Sequence, residues 1–263
     1  MTKVRLASVS VCLATLSAVM VSLAAILPAL GNAPPVRIAV VPAGGSGIEQ
    51  EAVDRISSQL QDMQNVVIST VNPDWYVVCN IQENTNQMSG AIRYNGTVTV
   101  KTTDGQVVSN IAVQKYNQDF SLEAGTPLNK KLVDNAARDV IGGMSDRAMG
   151  PLQQAIQTEM DTREKVISAS EDGDKDQYNE AIGLLAQITP DSTHFKQVHG
   201  MIMQFEVEKH CMELCKSAQA KAGKGAYGEA INLLRQVDKR SKRYKFAQGK
   251  IAAYRAASGA HAH

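Results

Sequence analysis

The chain has 263 residues, 44% of them hydrophobic and 20% charged, with a formal net charge of +1. That length holds one large or two small domains, each able to bury a core without staples. The near-neutral balance excludes a protein that binds nucleic acid over its whole surface and leaves only local charged patches to weigh.

Lys3 and Arg5 precede an uncharged run from Leu6 to Leu30, followed by the small residues Gly31 and Ala33. Residues 1–33 therefore read as an export signal. The run is also long enough to span a bilayer, so a cleaved signal peptide and a retained single-pass anchor with N-terminal membrane insertion both stay open. The basic residues before it place the remainder outside the cytoplasm. Cys12 follows Val11, where a lipobox needs a small residue, so no lipoprotein is expected. Beyond the leader remain Cys79, Cys211 and Cys215, an odd number that cannot form a complete disulfide framework.

Pro34-Pro35 form a stiff spacer. Val36 to Val41 is an apolar, β-branched run and predicts a buried strand. The Gly-rich stretch Ala43 to Gly47 then leads into a helix with Ile48, Val53, Ile56, Leu60 and Met63 on its apolar face. A phosphate loop is disfavoured, because the Lys-Ser/Thr pair is missing and Glu49 and Glu51 put negative charge where an anion would sit. Val66 to Val71 and Trp75 to Ile81 read as the second and third strands, and Gln82 to Ser89 as a polar connection. Thr97 to Lys101 alternates with period two, Asp104-Gly105 suits a two-residue turn, and Val107 to Val113 returns.

This order, with "Pro-Asp-Trp-Tyr-Val-Val-Cys-Asn-Ile" before a hairpin on "Thr-Asp-Gly-Gln-Val-Val-Ser", resembles the α/β domain of the curli secretion protein CsgG, the LpoB-type activators of peptidoglycan synthases and the N-terminal domain of TolB. The resemblance covers about Val36 to Met149. It implies a binding module of the bacterial envelope, concerned with assembly, docking or secretion, and brings no functional residue with it.

Thr126-Pro127 is a helix start, and Leu132, Val133, Ala136, Ala137, Val140, Ile141 and Met144 keep helical spacing. Gly150-Pro151 predicts a restart and a domain boundary, giving an α/β domain at 34–149 and a helical domain at 150–257. Asp172, Asp174 and Asp176 imitate a calcium loop, but Gln177 replaces the turn glycine and Gly183 the bidentate glutamate, which leaves a hydrated turn. The helical half is written twice. Tyr178, Glu180, Ala181, Ile182, Leu184, Leu185 and Gln187 recur forty-nine positions later as Tyr227, Glu229, Ala230, Ile231, Leu233, Leu234 and Gln236. Ser192, Lys196, Gly200 and Ile202 recur as Ser241, Lys245, Gly249 and Ile251, and Glu164, Ser168 and Ala169 precede Glu213, Ser217 and Ala218. Gly225 to Ile231 resembles the start of the second helix in tetratricopeptide (TPR) repeats, whose usual period is about 34 residues. The extra length falls in Thr193 to Ala222, a helix on the order of 45 Å long. Residues 258–263 read as a disordered tail.

Cys211 and Cys215, one helical turn apart beside His210, read as small apolar residues of a helix interface in preference to a metal or redox pair. All five histidines, at 194, 199, 210, 261 and 263, lie in the helical half, and no carboxylate pair has catalytic spacing, so no enzyme, cofactor or metal site is expected. Arg235, Lys239, Arg240, Lys242, Arg243 and Lys245 form the one marked basic segment, with only Asp238 against them along 235–255. The expectation is an α+β protein: a small mixed-sheet domain followed by an all-α, TPR-like arm. Its expected work is that of an exported, periplasmic or envelope scaffold binding protein partners or itself. The alternative is a module that takes an anionic lipid or glycan through the basic segment, and no nucleic acid is expected.

Overall fold

The first apolar run forms β1 (Val36–Pro42), in which Val36, Ile38, Ala39 and Val40 are all buried. Burial on both faces is what a strand with parallel neighbours on either side requires. In this computed structural model, residues 33–86, 91–118 and 130–260 are described. The leader short of Ala33, the expected helix start at Thr126-Pro127 and residues 261–263 lie outside them.

The fold is α+β. After β1 come α1 (Gly47–Gln61), β2 (Val66–Ile68), β3 (Trp75–Asn86), β4 (Ala91–Thr102) and β5 (Val107–Gln118). The sheet order is β2-β1-β3-β4-β5, with β1 parallel to β2 and β3, and β3, β4 and β5 antiparallel. Helices follow: α2 (Lys130–Asp174), α3 (Tyr178–Leu185), α4 (Phe195–Gly223), α5 (Tyr227–Leu234) and α6 (Tyr244–Ala260). Helices α1 and α2 pack on one sheet face, over Ile38, Val77, Ile92, Tyr94, Val98 and Val100. Tyr76, Val78, Thr97 and Thr99, which alternate to the other face, are half-buried.

Several sequence expectations are corrected. The second strand stops at Ile68 rather than Val71. The polar connection at Gln82 to Ser89 is strand as far as Asn86, paired residue for residue with a β4 that begins at Ala91. The alternation Ile92, Tyr94, Val98, Val100 on its buried face drives this longer hairpin, and the Asn- and Gln-rich composition only marks its solvent side. The β4–β5 turn has three residues, not two. Gly105 N–H donates to Thr102 O at 3.1 Å and Thr102 N–H to Gln106 O at 2.9 Å, with Gly105 left-handed at φ 92. A turn closed by a left-handed glycine carries a bulge, and the register slips at Val100/Lys101.

No restart occurs at Pro151, which lies inside the 45-residue α2, so the division expected near 150 falls within this helix. The cause is a buried stripe of unbroken spacing, Met144, Ala148, Leu152, Ile156 and Met160, which carries the helix past Gly150-Pro151. Gly96 makes room for it, since Met144 lies where a Cβ on Gly96 would point. Ser258 to Ala260, expected in a disordered tail, belong to α6.

The Gly-rich loop holds an anion of its own. Ser46 caps α1 in a capping box with Glu49, whose Oε2 accepts from Gly44 N at 2.8 Å and Ser46 N at 3.2 Å. Its Oε1 accepts from Ile81 N at 3.1 Å, tying loop, helix and β3 together. Burial opposes the charge, but the backbone N–H groups of Ile81, Gly44, Ser46 and Gly45 outweigh it and hold the carboxyl below its ordinary value. Cys79, beside it, is buried, and burial together with the Glu49 charge pushes its thiol up to about 12, so it is inert. Replacing Glu49 by Gln leaves N–H donors facing an amide, and denaturant unfolding should show a loss of about 1–3 kcal/mol. Because the folded pKa is depressed, this contribution is present above the unfolded carboxylate value and is lost as pH falls through the folded one, so the deficit should shrink in acid.

Candidate functional site

Two features gather polar side chains: a junction between the sheet and the helices, and the basic segment of the second repeat. The junction centres on Glu159, a residue of α2 only 6% exposed. Its Oε1 accepts from Arg163 Nε at 2.8 Å and meets His194 Nε2 at 2.7 Å, and Thr193 Oγ1 donates to Oε2 at 3.3 Å. Arg163 reaches on to Asp74 Oδ2 at 2.9 Å and to the Pro34 carbonyl at 3.1 Å. Asp74 in turn accepts from Arg37 N at 2.9 Å. One chain of charges thus links the entry to β1, the loop before β3, α2 and the α3–α4 loop. Burial works against the Glu159 charge, but His194 and Arg163 outweigh it and hold its pKa down, while the bond to Glu159 raises that of His194.

Beside this network lies a cleft of ≈ 430 Å³ between the start of β5, α2 and the α3–α4 loop. Trp75, Val107, Pro151 and Ala155 supply its apolar surface, and Ser109, Thr158, Thr162, Thr189, Ser192 and Thr193 its hydroxyls.

Forty-nine positions after Glu159, Glu208 is likewise 6% exposed and holds the loop before α6. Its Oε2 accepts from Ser241 Oγ at 2.8 Å and its Oε1 from Lys242 N at 2.9 Å. Tyr178 and Phe205, with centroids 6.1 Å apart, recur as Tyr227 and Tyr254 at 5.9 Å, tilted by 40° and 39°. The repeat is thus a three-helix unit in which α4 ends one copy and begins the next. Sequence reasoning missed Glu159 and Glu208, although the same offset marks them.

The basic residues separate into two groups. Arg243 donates to Asp176 Oδ2 at 2.5 Å, and Lys242 lies 3.0 Å from Oδ1 and 5.4 Å from the Tyr178 ring centre. Arg240 is held by Asp238 at 2.9 Å. Arg235 makes only a hydrogen bond to Asn232, and Arg235, Lys239 and Lys245 are exposed with no ion pair among the described residues. The hydrated turn expected at 171–176 is corrected with them: Glu171 to Asp174 finish α2, and Asp176 is an ion-pair partner. Hydrogen bonds from Lys242 and Tyr178, with Arg243, pull the Asp176 carboxyl down to about 2. Asp176 sits at φ 63 and its repeat counterpart Gly225 at φ 77, so both copies use the same left-handed turn.

Cys211 and Cys215 are buried and unpaired, and burial raises the Cys215 pKa. Among the described residues, no group of three or more His, Cys, Asp or Glu could hold a metal, and no helix is long and apolar enough to cross a membrane.

No protein-family model matches the chain, and no curated protein matches it. Among solved structures it is similar to a PelC dodecamer from Paraburkholderia phytofirmans, at 16% identity and TM-score 0.29, covering 47% of this chain and 90% of that one. It is also similar to a Xanthomonas campestris protein of the DUF330 family, at 12% identity and TM-score 0.32 over 48% and 91%. A third is a minor lipoprotein from Acinetobacter baumannii, at 12% and 0.33 over 48% and 96%. These likenesses are shallow and carry no argument about function. The names are other than CsgG, LpoB and TolB, so that resemblance remains one of sequence order.

The folded pKa of His194 is raised, so its contribution is full below about pH 6.5, its unfolded value, and fades as pH climbs through the folded value. The groups facing it are Glu159, Arg163 and, through Arg163, Asp74. Thermal unfolding across the neutral range should show the melting temperature falling above pH 6.5, and His194→Gln should remove that slope.

Proposed function

We propose that the chain is a non-enzymatic scaffold of the bacterial cell envelope, exported by its N-terminal leader and holding a protein partner on its helical arm. The observation that carries this is the duplicated three-helix unit, with Glu159/Glu208, Tyr178/Tyr227 and Phe205/Tyr254 in the same places of each copy. Stacked helical repeats make extended, rigid surfaces suited to holding proteins. Among the described residues, Phe195, Met203 and Phe246 are large apolar side chains left exposed on that arm. A photo-crosslinking residue at Met203 or Phe246 should give a discrete adduct in envelope fractions, and one at Glu51 on α1 should give none. A chain recovered from the cytoplasm without adducts would reject the proposal.

A second reading, an anionic lipid or glycan, is supported by the exposed side chains of Arg235, Lys239 and Lys245. Reversing these three to Glu should abolish salt-sensitive binding to vesicles containing phosphatidylglycerol. Reversing Lys242 and Arg243 should instead lower the melting temperature, because those two pair with Asp176 of the first repeat.

A further inference from the structure

We infer that the cleft beside Glu159 binds a short, neutral, hydroxyl-rich ligand, a saccharide segment. Its volume, ≈ 430 Å³, falls within the range of about 300–1,000 Å³ usual for small-ligand sites. The class of ligand follows from which hydrogen-bonding groups are already used. Thr158 Oγ1 donates to Gln154 O at 3.0 Å, Thr162 Oγ1 to Thr158 O at 2.8 Å, and Thr193 Oγ1 to Glu159. The Thr189 hydroxyl bonds the Asp191 carboxylate, and Gln106 Nε2 donates to the Asp191 carbonyl at 3.3 Å. These hydroxyls have spent their protons on the protein and offer lone pairs to the cleft. Ser192 differs, because its Oγ accepts from His194 N at 3.2 Å and keeps a proton to donate. The wall is thus rich in acceptors with a few donors, the complement of a ligand bearing several O–H groups.

Charge narrows the class further. No lysine or arginine lines the cleft, and of the two carboxylates that do, Glu159 is taken up by Arg163 and His194 while Asp191 accepts from the Thr189 hydroxyl. An anion would find no counter-charge there. The exposed Val107, the ring of Pro151 and Ala155, one turn further along α2, give an apolar strip against which the C–H face of a sugar ring packs. The site owes nothing to the exposed helical faces assigned to a protein partner, so saccharide binding and adduct formation at Met203 can fail separately.

Trp75, the chain's single tryptophan, lines this cleft, so intrinsic fluorescence reports on it directly. The probes are maltotetraose and chitotetraose as neutral saccharides, with spermidine and inorganic polyphosphate as the cationic and anionic arms. A saturable change with at least one neutral saccharide is expected. The double variant Thr158→Val with Asp191→Ala should weaken it about tenfold, the scale of two ordinary hydrogen bonds. Ala155→Phe, which fills the strip, should abolish it, with circular dichroism confirming that both variants fold. The inference is overturned if neither saccharide gives a saturable change at millimolar concentration, if the folded variants respond as the unaltered chain does, or if spermidine or polyphosphate alone saturates the signal.

Discussion

A buried carboxylate that needs partners from distant segments sets how this chain is put together. Glu159 projects from α2 into a nearly dry site, where an unpaired charge would be strongly unfavourable. It becomes tolerable only when Arg163 on its own helix and Thr193 and His194 on the next loop converge on it. Removing one partner of such a cluster costs about 3–5 kcal/mol, whereas apolar replacement of all of it need cost little. The cluster therefore acts chiefly by specifying one position for the α3–α4 loop. Glu208 imposes the same requirement on the loop before α6, using a serine hydroxyl and a backbone N–H in place of histidine and threonine.

That requirement explains why α2 is continuous. Its first half covers the sheet through Ala136, Val140, Ile141 and Met144, and its far end contributes Ala169 to the core of the first repeat. A break at Gly150-Pro151 would uncouple the sheet from Glu159. Proline inside a helix costs roughly 3 kcal/mol, which the buried side chains on either side offset: Ala148 and Leu152 are both fully buried.

The sequence shows what is periodic and conceals what is spatial. The runs that become β1 and α1 are visible, and so is the duplication, including its upstream extension to Glu164. The extension stops five residues short of the Glu159/Glu208 pair, because an isolated glutamate on a helix looks solvated until its loop partners are known. The capping box at Ser46 and Glu49 is legible from spacing, but the third bond, from Ile81 across the sheet, is not. Polar composition hides the ends of the β3–β4 hairpin, where the buried alternation of Ile92 and Tyr94 is the better signal. The basic segment misleads for a similar reason. Charges weighed along the chain miss Asp176, which is far away in sequence and pairs with both Lys242 and Arg243 in space.

Asp176 and Gly225 occupy the same bend of the backbone and have diverged in a way that records their surroundings. The bend itself favours glycine, so an aspartate there is held against local preference by the cations the following unit brings to it. The two copies are consequently not interchangeable. A chain assembled from two first units would satisfy this turn differently from one assembled from two second units, and the order of the repeats is written into a single side chain at the point where they meet.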